Sequence, residues 1–122
     1  MHTMEVYSYN LYIYIDKQDY NFDIANIKKS SELLCKELNL KICSMTYHIF
    51  EPPYKSKYDI SHSGVFLLST SHLAWHTFPE DGRVHISIST CGPEISIEKL
   101  NSLLIKLYNG SNNIEHIPFK VK

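Results

Sequence analysis

A chain of 122 residues with 43% apolar residues has the size of one domain, 1–122, and is too apolar to stay disordered. Twelve Lys and Arg against thirteen Asp and Glu, with no basic run, argue against nucleic acid or an anionic membrane as partner. No apolar run approaches the ~20 residues of a membrane span, and the first residues lack a basic-then-apolar signal pattern, so a cytoplasmic location is expected.

From the N-terminus, "YSYNLYIYI" (Tyr7 to Ile15) alternates aromatic and β-branched residues and predicts a strand. Asp23 is the expected N-cap of a helix reaching Leu40, with Ile24, Ile27, Leu33, Leu34 and Leu38 near a helical period. Cys35, Cys43 and Cys91 are odd in number and lack CxxC spacing, so neither a disulfide framework nor a cysteine zinc site is expected. Lys41 to Phe50 predicts a second strand. "EPPYKSKYDISHS" then interrupts regular structure, because Pro52 and Pro53 have no N–H to give a ladder.

Three short strands follow, Val65 to Ser69, Ser71 to Phe78 and Arg83 to Cys91, the last two joined by the turn "PEDG". A helix is predicted from Pro93 to about Tyr108, with Ile97, Leu100, Leu104 and Leu107 on one face. "NGSNN" ends it, and Ile114 to Val121 can return as an edge strand. The order implies an α+β two-layer sandwich, an antiparallel sheet covered by two helices on one face. Strand alternation sets Leu73, Trp75 and Thr77 against His72, Ala74 and His76. Likewise it sets Val84, Ile86 and Ile88 against His85, Ser87, Ser89 and Cys91. One sheet face is then apolar, and the other carries histidine and cysteine.

The stretch "GVFLLSTSHLAWHTFPEDGRVHISISTCG" gathers serine, histidine and cysteine, and several chemistries fit such residues. Each residue alone is compatible with a purely structural place. A zinc site of His72, His76 and either Cys91 or His85 matches no closed-site spacing, so no metal is expected. A serine hydrolase would need a G-x-S-x-G elbow, which is absent, and an orienting acid, for which the sequence marks no obvious candidate.

As a whole, the stretch resembles the signature of the small prokaryotic S-adenosylmethionine decarboxylases, a pyruvoyl-dependent family. The matching residues are Ser63-Gly64-Val65, Ser69, Ser71-His72, His76-Thr77, Pro79-Glu80, Gly82 and Thr90-Cys91-Gly92, with "TYHIF" (Thr46 to Phe50) upstream. The resemblance is strong from about Thr46 to Gly92. It implies a cofactor made from the chain itself. The peptide bond between Thr70 and Ser71 undergoes an N-to-O acyl shift, the ester eliminates to dehydroalanine, and hydrolysis leaves a pyruvoyl group at Ser71. The chain would thereby divide into 1–70 and 71–122. The pyruvoyl ketone forms a Schiff base with the substrate amine and accepts the electrons left by CO₂ loss, which no ordinary side chain does well. Further roles implied by the resemblance are Ser63 and His76 in processing and Cys91 as the acid that reprotonates the α-carbon. Glu80 would hold ribose hydroxyls, and Phe50 and Phe78 would flank the adenine near the sulfonium. The product would be the aminopropyl donor of spermidine synthesis.

Several positions depart from the pattern. Thr70 replaces a glutamate, Phe78 a tryptophan, Ser87 an aspartate and His85 a small residue, and the loop from Glu51 to His62 is longer. Two other readings use these departures: a pyruvoyl-dependent arginine or ornithine decarboxylase, and an unprocessed, non-catalytic relative. Ser63, Ser71, His76 and Cys91 standing together oppose the second. A polar sheet face carrying His76 and Cys91 also predicts a homodimer, with the site at or near the interface of an αββα arrangement.

Overall fold

The computed structural model describes residues 4–15, 22–50 and 60–121. Its elements are β1 (Met4–Tyr14), α1 (Ile24–Glu37), β2 (Ile42–Ile49), β3 (His62–Leu68), β4 (Ser71–Phe78), β5 (Arg83–Thr90), α2 (Ile97–Tyr108) and β6 (Ser111–Val121). The strands form one antiparallel sheet in the order β2-β3-β4-β5-β1-β6, an α+β architecture as expected. Tyr9, Leu11 and Ile13 of β1, Leu73 and Trp75 of β4, and Val84, Ile86 and Ile88 of β5 are all fully buried. They share a core with Ile27 and Leu34 of α1 and Leu100 and Leu104 of α2. The intervening residues, including His72, His76, His85 and Ser87, remain half-buried or exposed on the other face.

Local chemistry sets several boundaries. Asp23 caps α1 by accepting the Asn26 N–H at 2.8 Å. α2 begins at Ile97 rather than Pro93. Ser96 supplies the cap, accepting the Lys99 N–H at 3.2 Å, while the Ile95 N–H is committed to the Tyr9 hydroxyl at 2.7 Å. The buried stripes also differ from the expected ones. On α1 it is Ile27, Ser30, Ser31, Leu34 and Cys35, with Leu33 on the outside; on α2 it is Leu100, Leu103, Leu104 and Tyr108, with Ile97 on the outside. Each helix faces its neighbour as well as the sheet. The Ser31 and Tyr108 hydroxyls meet at 2.7 Å, and the Ser30 hydroxyl donates to the Leu107 carbonyl at 3.0 Å. β6 starts at Ser111, three residues before Ile114, because left-handed Asn109 closes α2 at once through its N–H to the Ile105 carbonyl.

β3 begins at His62, so Ser63 is a strand residue, whereas the long loop was expected to include it. Of that loop, 51–59 lies outside the described residues. "PEDG" forms a 3₁₀ turn over Pro79–Asp81, closed by Gly82 at φ 61, whose carbonyl accepts the Ile15 N–H at 2.7 Å.

The centre of the sheet is fixed by Trp75. Its ring lies over Gly64, its partner in the ladder, where an added Cβ would fall 2.1 Å from a ring carbon. The indole N–H donates to His62 Nδ1 at 3.1 Å, and His62 Nε2 donates to the Phe22 carbonyl at 2.7 Å. Only a neutral imidazole satisfies both bonds, since one ring nitrogen must accept while the other donates. Burial pushes the proton affinity of His62 down, opposed by the Phe22 carbonyl and Asp23.

Two expectations follow from this centre. Gly64→Ala forces the ring aside and should cost about 1–3 kcal/mol in denaturant unfolding, the usual range for overpacking. His62 has a lowered folded pKa, so its contribution to stability is complete above its unfolded pKa of about 6.5 and declines as pH falls below it. The melting temperature should therefore drop between pH 7 and 5, and His62→Gln should make that drop shallower. Parallel curves for the two proteins would show that His62 is not the titrating group.

Candidate active site

β4 opens at Ser71, immediately after a turn at Ser69–Thr70, and its first residue pairs with Thr90 at the end of β5. The Cys91 N–H donates to the Thr70 carbonyl at 3.3 Å. The Thr70 and Thr90 hydroxyls meet at 3.2 Å, and buried Thr90 also accepts the Gly92 N–H at 3.1 Å. The carbonyl of the 70–71 peptide bond is thus held by a donor, with the half-buried Ser71 hydroxyl on the adjoining residue. His72 Nδ1 stands 3.4 Å from that hydroxyl. A polarised carbonyl with a hydroxyl positioned to close a five-membered ring on it is chemically suited to an acyl shift from nitrogen to oxygen. Cys91, whose N–H donates to the Thr70 carbonyl, is itself exposed and carries a free thiol. Cys35 offers no comparable group: burial, reinforced by Glu32, pushes its thiol up to about 12.

A second cluster crosses the open face of the sheet. The ladder aligns Tyr12, His85, His76, Ser63 and His48 in one row from β1 to β2. Ser63 Oγ is hydrogen-bonded to His76 Nδ1. The His76 ring faces that of His85 at 6.4 Å between centroids, and His85 stacks on Tyr12 at 4.8 Å, almost parallel. His85 Nε2 lies 3.3 Å from Asn10 Oδ1. Burial lowers the proton affinity of His85, and His76 and Arg83 lower it further, against an opposing pull from Glu115.

The third group lies at the far end of β4. Arg83 rests over the Phe78 ring at 4.4 Å and reaches Asp81 at 3.6 Å. Phe50 packs edge-on to His48 at 5.0 Å, and Glu80 is exposed on the 3₁₀ turn.

Thr70, Ser71 and Cys91 therefore come together, as do Ser63 and His76, but the two sets are separate. Ser71 and His76 are five residues apart on one strand, roughly 17 Å at the usual strand rise. Phe78 is about 24 Å from Ser71 on the same measure. Asn10 and Tyr12 carry no motif in the sequence, and Thr90 stands there only as part of Thr90-Cys91-Gly92, with no role of its own. The alternation of β1 carried a signal for the first two, but only the pairing of β1 with β5 sets them against His85.

The chain is similar to known proteins over most of its length. The family described as S-adenosylmethionine decarboxylase matches residues 9–115. An S-adenosylmethionine decarboxylase proenzyme of Moorella thermoacetica is 36% identical over 80 residues, which are 62% of this chain and 58% of that protein. One of Thermosipho melanesiensis is 30% identical over 97 residues, 78% of this chain and 69% of that one. In the Moorella protein and in that of Thermodesulfovibrio yellowstonii, the chain thus spans 58% of the relative's length. The crystal structure of an adenosylmethionine decarboxylase from Aquifex aeolicus has the same fold, with a TM-score of 0.70, 24% identity, and coverage of 98% of this chain and 91% of that one.

Proposed function

Since this chain belongs to the S-adenosylmethionine decarboxylase family, we propose that it is a proenzyme that cleaves itself before Ser71 and then decarboxylates S-adenosylmethionine. The observation that carries this reading is the Thr70 carbonyl held by the Cys91 N–H, with the Ser71 hydroxyl next to it. Attack of Ser71 Oγ on the Thr70 carbonyl carbon moves the acyl group from nitrogen to oxygen. Elimination then releases the Thr70 carboxylate, and hydrolysis of the remaining dehydroalanine releases ammonia. Ser71 opens a strand and is neither sealed in the core nor fully in water, a position that suits a pyruvoyl terminus reached by substrate. When present, that group supplies the electron sink for decarboxylation.

The remaining roles belong to side chains. Cys91, beside the 70–71 junction, returns a proton to the substrate α-carbon. Ser63 and His76, already hydrogen-bonded, move protons during processing. Glu80 binds the ribose hydroxyls, and Phe50 and Phe78 flank the adenine. Neither His76 nor these three reach Ser71 within one chain. We therefore assign them to the Ser71 of a second copy, packed open face to open face in a homodimer of αββα form. Exposed Leu67, Phe50 and Phe78 on that face favour such packing. Among the described residues no helix is long and apolar enough to cross a membrane, and the three cysteines are unpaired thiols, in keeping with a cytoplasmic enzyme. Its product would serve as the aminopropyl donor for spermidine.

The second reading, an arginine or ornithine decarboxylase, is favoured by one observation. The Arg83 guanidinium already covers a face of Phe78, a ring the first reading gives to adenine.

Mass spectrometry of incubated protein should find fragments 1–70 and a blocked 71–122. A chain that stays intact would contradict processing. Ser71→Ala and His76→Ala chains should each remain whole alone, whereas mixing them should cleave the His76→Ala chain, because its Ser71 meets the other copy's His76. No cleavage on mixing would place processing within one chain. For substrate, CO₂ should be released from S-adenosylmethionine, and Glu80→Gln should raise KM while leaving self-cleavage near its native rate. Release from arginine or ornithine alone would favour the second reading.

A further inference from the structure

We infer that His85 is a positioning residue for His76, a flat plate that holds the exposed His76 imidazole in the orientation it needs to work with Ser63. The inference rests on the self-processing reading above. His76 is exposed, and its bond to Ser63 fixes only one ring atom, Nδ1, leaving the ring free to swing about that contact. His85 supplies the missing constraint. Its ring runs within 19° of parallel to that of His76, at a spacing where aromatic pairs attract.

His85 is itself held from two sides. Tyr12 stacks on it at 4.8 Å and 5°, and Asn10 Oδ1, 3.3 Å from Nε2, fixes the rotation of the ring. A continuous line of contacts thus runs from Asn10 and Tyr12 on β1, through His85 on β5, to His76 on β4 and Ser63 on β3. The charged and titratable groups facing His85 are His76, Arg83, Tyr12 and Glu115. Burial, with His76 and Arg83 beside it, lowers the proton affinity of its ring and favours the neutral form. An uncharged plate can stand against an imidazole that must take up a proton, where a second positive charge would oppose it.

The alternative is a cross-strand pair that only stabilises the sheet, and two readouts separate them. The first is the rate of self-cleavage in His85→Ala, His85→Phe and His85→Leu. The second is the ring ¹⁵N shifts of His76 in the non-cleaving Ser71→Ala chain, with and without His85→Ala. Positioning predicts that His85→Ala and His85→Leu slow cleavage by about tenfold to a hundredfold, the scale of a misplaced catalytic group. His85→Phe, which keeps the plate, should stay near the native rate. The His76 shifts should pass from one bonded tautomer to an average. Cleavage of His85→Ala at the native rate, or His76 shifts unchanged by it, would overturn the inference. If His85→Ala does not fold, equal rates for the Phe and Leu variants would do so. Should the native chain itself not cleave, the processing reading fails, and the shifts alone decide whether His85 orients His76.

Discussion

The seat of Trp75 is the constraint on which the rest of this sheet depends. The indole lies flat on Gly64 and donates to His62, so the β3–β4 ladder has one register that avoids a clash and leaves no buried donor unpaired. That register is also what sets Ser63 opposite His76. A slip of one residue would turn the polar side of β4 into the core and lift Leu73 and Trp75 into water. The arrangement of the open face is thus a consequence of packing on the other face.

The sheet separates two kinds of chemistry by strand period. Helices cover one side, and their own contact is made by small serines, which let α1 approach α2 and satisfy the Tyr108 hydroxyl and the Leu107 carbonyl. The other side keeps its histidines, serines and several large apolar groups uncovered within one chain. Its reactive features lie at different places along the strands: the Thr70–Ser71 junction with Cys91 at one end, Phe78, Arg83 and Glu80 at the other, and the histidine row between them. Since a strand is stiff over this length, no side-chain rotation in a single copy unites them.

Thiol chemistry is divided in the same way. Cys35 is enclosed by the core near Glu32 and is held as a neutral thiol, while Cys91 stands just past the end of β5, where its backbone is tied to the 70–71 carbonyl. Residue type alone does not distinguish them; burial and position do. The same holds for His62 and His85. Both are pushed toward the neutral form by burial, yet one completes the bonding of the core and the other lines the open face.

The strands, both helices and the two-faced character of β4 and β5 were legible in the sequence, because alternation and helical period are local properties. So was the grouping of Thr70, Ser71 and Cys91 as one motif, through the family resemblance of their spacing. Other features depended on elements remote in the chain. The start of α2 turns on a hydroxyl of Tyr9, and the buried stripes of both helices turn on each other. The line from Asn10 and Tyr12 to His76 needs β1 inserted beside β5, across more than seventy residues. Spacing along the chain names which residues carry chemistry; only the pairing of distant strands decides which of them meet, because side-chain contacts are fixed by register, and register by packing in the core.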